Sequence, residues 1–353
     1  MTTKLPTIIQ GGMGAAVSDW RLAHAVSSTG QLGVVSGTAL DAILARRLQL
    51  GDPGGHMRRA LDAFPFPDVA QRILDRYFVE GGKADDERFK TKPMVSDRTS
   101  DRTEELIVAA NFVEVFLAKD GHGNPVGINF LEKIQVPTLP SLYGAMLAGV
   151  DYILMGAGIP RAIPGILDQL AEGFDVEMKI DIKGATAKGD PYVRFSPAKV
   201  AKDLVGRLPR PNFLAIVSSH VLARMLATKA SGEVNGFVVE YPVAGGHNAP
   251  PRAKGEFNEK GEPVYGDKDV PDLDVIAELG KPFWLAGGYA EPAQVQSALD
   301  AGATGVQVGT AFAYCNESGF TRDVKDEVIE RSRLGELDVL TDAVASPTGF
   351  PFK

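Results

Sequence analysis

The feature that most constrains this chain is a regular alternation. Short β-branched runs, each closed by glycine or a small polar residue, are separated by longer stretches with apolar residues at helical spacing. Thr7-Ile8-Ile9-Gln10 stops at Gly11-Gly12, and Leu32-Gly33-Val34-Val35-Ser36 at Gly37. Val126–Phe130 and Tyr152–Met155 follow, the latter before Gly156-Ala157-Gly158. Phe213–Val217, Gly236–Glu240, Pro282–Ala286 and Thr304–Val308 complete the series. Between them lie helical patterns, among them one capped by Ser18 and others from Leu139 to Ala148, Ala162 to Ala171, Ser219 to Lys229 and onward from Pro292. Continuously apolar strands joined by helices mean a parallel sheet, and eight strands can close it into a barrel. The expected class is α/β, a (β/α)8 TIM barrel; an open doubly wound sheet is the alternative.

Two stretches exceed ordinary connections. Residues 38–124, after the second strand, carry helical patterns at Ala39–Leu50, Met57–Phe64 and Val69–Phe78. A polar run, Ser96 to Thr103, comes next and reads as a loop capping a helix that begins near Glu104. Val113-Glu114-Val115-Phe116-Leu117 reads as an extra strand. Residues 175–211, after the fourth strand, hold the alternation Glu177 to Ile182 of a half-exposed strand. Residues 249–270 read as a long loop, rich in proline and glycine, suited to a cover. The whole, 1–353, is expected to form one barrel domain carrying these insertions.

Composition removes several classes of function. The net charge of −8 suits neither nucleic acid nor an anionic membrane surface. No run approaches the ~18 apolar residues of a membrane span. The opening, Met1 to Pro6, leaves no room before the first strand for a secretion signal, so a cytoplasmic protein is expected. The single cysteine, Cys315, excludes an internal disulfide and any cysteine-rich metal site, and no metal is expected.

In such barrels the chemistry sits on loops after the carboxyl ends of the strands. Here those positions carry Gly11, Gly12 and Met13, then Ser36, Asn129, Gly245-Gly246-His247, Gly287-Gly288, Gln307 and Gly309-Thr310. Glycines after the last two strands suit a phosphate cradle, because the backbone can approach and several N–H groups converge on one anion. A Rossmann dinucleotide site fits poorly. The G-x-G at Gly12-Met13-Gly14 has Val17 at its third small position, and the second strand ends in Ser36 rather than an acid. There is no G-x-S-x-G elbow for a serine nucleophile. His247 follows a strand and two glycines at the active face, whereas His24, His56, His122 and His220 lack that placement and read as structural or surface residues.

In order, Ile8–Gly14, Gly33–Ser36, Ala244–His247, Leu285–Gly288 and Val306–Phe312 resemble the nitronate monooxygenase family, formerly 2-nitropropane dioxygenases. This is a family of FMN-dependent barrels related to the FMN-containing enoyl-acyl-carrier-protein reductases and to flavin quinone reductases. The resemblance implies that Gly11, Gly12 and Met13 lie against the flavin, and that Asn129 and Gln307 hydrogen-bond its ring or ribityl chain. It further implies that Gly287, Gly288, Gly309 and Thr310 hold the phosphate, and that His247 faces the substrate and acts as the base. Ser36, Gly245 and Gly246 join the cofactor set. The implied reaction is oxidation of alkyl nitronates by O2. An NAD(P)H-dependent reductase of quinones or enoyl thioesters, and a flavin-binding scaffold without turnover, are the alternatives. The sequence leaves open whether NAD(P)H is the donor and whether copies assemble into a homo-oligomer. Asn248–Arg252 departs from relatives that carry Arg-Gly or Ile-Gly after the histidine. Arg252 and Lys254 stand there as candidates to meet an anionic substrate.

Overall fold

A computed structural model describes residues 5–96, 99–182, 191–200, 207–253, 255–346 and 351–353. Eight parallel strands form one sheet: β1 (Ile8–Gln10), β2 (Gly33–Ser36), β3 (Val126–Leu131), β4 (Tyr152–Gly156), β7 (Asn212–Val217), β8 (Gly236–Glu240), β9 (Phe283–Ala286) and β10 (Gly305–Val308). Their order around the sheet is β1-β10-β9-β8-β7-β4-β3-β2. The ends meet at a parallel bridge between Ile9 and Leu32, where Gln10 N donates to Leu32 O at 2.9 Å and Leu32 N to Ile8 O at 3.0 Å. The sheet is therefore a closed barrel, as the eight-strand pattern predicts.

Closure divides each strand's residues into two sets, because successive side chains point to opposite faces. Ile9, Leu32, Val34, Tyr152, Leu154, Leu214, Ile216, Val238, Trp284 and Ala286 fill the lumen. Trp284 is fully buried and donates its indole N–H to Pro6 O at 2.8 Å, satisfying the one polar atom such a side chain brings inside. The intervening residues, Val35, Ile128, Ile153, Phe213, Phe237 and Val239 among them, pack outward under the helices in the larger core.

The long connection after β2 is helical. α2 (Leu40–Gln49), α3 (His56–Asp62) and α4 (Pro67–Tyr77) precede α5 (Asp101–Lys119), which crosses back to β3. The strand expected at Val113–Leu117 is a misreading, since those residues lie inside α5. Neighbouring helices enclose α5, so it is apolar on nearly every face and shows little helical periodicity. Glu114 mimicked the solvent side of a strand but is buried. One of its oxygens pairs with Arg47 on α2, and the other accepts from Trp20 N at 2.9 Å. Asp97 and Arg98 of the polar run lie outside the described residues; Thr99 and Ser100 lead into the helix.

After β4 and the helix Ile163–Ala171, β5 (Val176–Lys179) pairs antiparallel with β6 (Tyr192–Phe195) outside the barrel. Val176, Met178, Val193 and Phe195 face inward, and Glu177 pairs with Arg194 at 3.1 Å on the exposed side. The alternation read at Glu177–Ile182 is thus a real half-exposed strand, but a shorter one, Val176–Lys179, that starts one residue earlier and ends three earlier. Residues 183–190 and 201–206 of that stretch lie outside the described set. Among the described residues no helix is long and apolar enough to cross a membrane.

Candidate functional site

The lumen alternation sets what stands at the barrel mouth. One step beyond the buried apolar layers, the inward positions are Gly11 on the β1 end, Ser36 on β2, Asn129 on β3, Gly156 on β4, Ser218 after β7, Glu240 on β8 and Gln307 on β10. The bottom of the barrel is closed by hydrocarbon, and its top is a ring of glycines and polar side chains.

The β1 loop is shaped by two buried side chains that stay out of the mouth. Gln10 Nε2 donates to Ser18 Oγ at 2.9 Å, and its Oε1 accepts from Val34 N at 3.0 Å. Ser18 Oγ accepts from Met13 N at 3.0 Å and donates to Gly11 O at 3.2 Å. Ser18 is therefore the anchor of the glycine loop and does not cap α1 (Trp20–Ser28). The cap is Asp19, whose carboxylate accepts from Arg21 N at 2.9 Å. The sequence suggested Ser18 because serine is a good cap; tertiary demand from the loop redirected its hydroxyl.

Braced in this way, the loop lies against two amides. Asn129 Nδ2 donates to Gly12 O at 3.3 Å, and a Cβ on Gly12 would stand 2.5 Å from Asn129 Cβ. Only glycine permits that approach. Asn129 Oδ1 and Gln307 Oε1 are buried and lack hydrogen-bond partners among the described residues. A buried, unpaired amide oxygen costs ~1–3 kcal/mol, so two at one mouth mark a place where a ligand completes the bonding. Gly309 lies beside Met13, its Cβ direction ending 3.8 Å from Met13 Sδ, and Thr310 Oγ1 stands 3.4 Å from that of Gly245. Gly287, at φ +104°, turns the chain after β9 against the backbone of Ala244. The candidate residues from five separate loops are thus gathered at one end of the barrel, with Ser36 Oγ beside Gly14 on the β2 side.

His247 sits in different company. Its Nε2 lies 2.8 Å from Ser346 Oγ, and its ring meets Phe352 edge to face at 5.0 Å. Residues 351–353 run antiparallel along its loop: Asn248 N donates to Pro351 O at 2.8 Å and Lys353 N to Gly246 O at 2.9 Å. Half-burial depresses the imidazole pKa below its ordinary value, which leaves the ring neutral at pH 7. No motif pointed to Ser346 or Phe352, because the contact spans about a hundred residues.

Glu240 is the functional candidate that motif reading passed over. It ends β8 and lines a cavity of about 80 Å³ together with Ser218, Tyr241, Asn248, Arg252 and Tyr265. Burial pushes its carboxyl up to about 7, and among the described residues no partner offsets that effect. The signal was available in the strand itself. Counting by twos from Val238 turns Glu240 inward, whereas it first looks like the polar end of a strand.

The segment 249–270 is more ordered than a structureless loop. Phe257 bridges Pro263, Tyr265 donates to Ala249 O at 3.0 Å, and a 3-10 turn covers Asp267–Asp269. Lys260 pairs with Asp338 at 2.8 Å. Arg252 lines the cavity, whereas Lys254 lies outside the described residues. The other histidines are held away from the mouth. His24 stacks near His122, His56 packs on Trp20, and His220 Nδ1 accepts from Asp272 N at 3.2 Å. No cluster of metal-ligating side chains occurs among the described residues.

Known proteins show the same affinity. The nitronate monooxygenase family profile matches residues 166–345, just over half of the 353-residue chain. A nitronate monooxygenase from Paraburkholderia phytofirmans is 28% identical over 161 residues. That match spans 44% of this chain and 40% of the relative's length. The crystal structure of a nitroalkane oxidase from Streptomyces ansochromogenes shares the fold, with a TM-score of 0.52 at 16% identity, covering 99% of this chain and 77% of that one. On the extent of the family profile, which takes in His247, Gly287, Gly288, Gln307, Gly309 and Thr310, the chain belongs to the nitronate monooxygenase family.

Proposed function

We propose that this chain is a single barrel domain that binds FMN across its mouth and oxidises alkyl nitronates with O2, His247 serving as base toward the neutral nitroalkane. The observation that carries the reading is the pair of unpartnered oxygens, Asn129 Oδ1 and Gln307 Oε1, beside the braced backbone of Gly11 and Gly12. A flat heterocycle bearing N–H and carbonyl groups fits that surface. The glycines allow contact with its face, while the two amides reach its edge. Gly245, Gly246 and Ser36 complete the surroundings, and Gly287, Gly288, Gly309 and Thr310 would hold the phosphate.

When bound, FMN supplies the electron-accepting chemistry that protein side chains lack. The chain's own contribution is positioning, exclusion of water and a proton acceptor. In the tautomer whose Nε2–H donates to Ser346 Oγ, the free lone pair of His247 is on Nδ1. There the α-carbon's C–H bond breaks, an N–H bond forms, and the released pair spreads onto the nitro oxygens. Burial, which keeps the ring neutral, makes this lone pair available at pH 7. Residues 249–270 serve as the cover over the site.

The test is anaerobic. The purified protein is mixed with a nitronate and, separately, with NADH or NADPH, while the flavin absorbance is followed. Rapid bleaching by the nitronate supports the proposal. Bleaching by pyridine nucleotide alone would instead make the protein a reductase of quinones or enoyl thioesters, and bleaching by neither would leave a flavin-binding scaffold. Cofactor released by heat should run as FMN on chromatography; FAD would overturn that part.

A further inference from the structure

The polar cavity at the β7–β8 side of the mouth has no part in the reaction as described above. We propose that Glu240, in its acid form, and Ser218 form an oxyanion subsite with Arg252 at the rim, recognising a nitronate or carboxylate oxygen by a donated hydrogen bond. Strand alternation turns both residues inward, one step above Val238 and Ile216 of the apolar lumen. The cavity, at about 80 Å³, is several times the ~10–15 Å³ needed to hold one water, so a small planar anionic group has room.

The bonding around the cavity leaves this role to few groups. Ser219 Oγ caps the helix His220–Lys229, accepting from Leu222 N at 3.2 Å, and Asn248 Nδ2 donates to Pro242 O at 2.9 Å. The carboxylate of Asp269 accepts from Arg252 N and Gly266 N, both at 2.9 Å. Tyr265 donates to Ala249 O. Beside the hydroxyls of Ser219 and Tyr241, the groups that remain to meet an anion are the Glu240 carboxyl, the Ser218 hydroxyl and the positive charge of Arg252. A carboxylate at Glu240 would repel an anion, whereas a carboxylic acid donates to it. Its surroundings favour the acid: β7 and β9, which flank β8, bring Ser218 and Ala286 to its level, and neither compensates a charge. The titratable neighbours in the cavity are Tyr241, Tyr265, Arg252 and Asp269. Of these Tyr265 is itself pushed up by burial.

The choice of a nitronate as natural occupant rests on the proposed function, but the subsite is testable without turnover. Acetate, ionised throughout the range, is titrated calorimetrically into the protein as purified between about pH 5.5 and 8.5, in two buffers of different ionisation enthalpy. Wild type should bind with an affinity that falls about tenfold per pH unit above neutrality and should take up close to one proton per acetate bound there. Glu240→Gln keeps a donor at the same place, so it should bind acetate with an affinity independent of pH and without proton uptake. Equal pH dependence in the two proteins, or no acetate binding by wild type at any pH, overturns the subsite. Flavin content and the flavin spectrum, measured on the same samples, separate this outcome from failure of the cofactor reading. If flavin is absent while the acetate difference persists, the cofactor reading alone falls.

Discussion

The two halves of the barrel mouth are built on different principles. On the β1–β3–β10 side, backbone and amides do the work: Gly11 and Gly12 lie against Asn129 and Gln307, and none of these groups changes charge near neutral pH. On the β7–β8 side stand titratable groups, with Glu240 in its cavity and the His247 loop tied to Ser346 and Phe352. The difference teaches that a surface which must only fit a ring can be made from permissive backbone. A surface that must move protons needs side chains whose burial sets their charge.

The sharpest way to break this comparison is at His247. His247→Asn should leave FMN bound, because the glycine side is untouched, while oxidation of a neutral nitroalkane falls about 10²–10⁴-fold. Oxidation of the pre-formed nitronate should fall much less. Equal losses on both substrates would move His247 from proton transfer to positioning.

Gly12→Ala attacks the other half. Its Cβ would lie 2.5 Å from that of Asn129, and overpacking of this kind costs about 1–3 kcal/mol. FMN affinity, measured by fluorescence titration, should fall by about ten- to a hundredfold with the pH dependence of turnover unaltered. A shifted pH profile would show that the halves are coupled.

Glu240 offers a stability test of comparable size. Its carboxyl titrates at about 7 in the folded chain, against 4.5 when unfolded, so the native state holds the proton more tightly. Stability is then greatest below pH 4.5 as far as this group is concerned, and is lost as pH rises through 7. The loss amounts to up to about 3 kcal/mol at alkaline pH. Glu240→Gln should remove it, so that denaturant midpoints of variant and wild type diverge between about pH 4.5 and 7, in favour of the variant, and keep a constant separation above neutrality. Parallel midpoints from acid to alkaline pH would show that the group is solvated.

The smallest effect concerns the cover. Cleavage at Lys260 by trypsin should slow severalfold when a saturating nitronate analogue is bound, as expected if residues 249–270 close over the site. Identical cutting rates with and without ligand would remove the lid role.

Much of the glycine half was legible before folding. Each glycine stands at the end of an apolar run, Asn129 and Gln307 lie inside such runs, and strand alternation is a local property. The histidine half was legible only in part. His247 itself stands out after two glycines, but its partners Ser346 and Phe352 belong to a segment without any motif. Glu240 looked like a strand's polar end until closure placed its alternate face inside.

The sequence by itself determined the eight strands, their inward and outward faces and the glycine-rich ends, because a period of two and the backbone freedom of glycine act within a few residues. Tertiary structure alone decided that Ser18 anchors a loop, that Val113–Leu117 is helical and that Glu240 turns into a half-buried cavity at the barrel mouth. Each depends on what surrounds the residue rather than on its neighbours in sequence. Burial, which sets charge and selects between helix and strand for a uniformly apolar run, is a property of the packed whole.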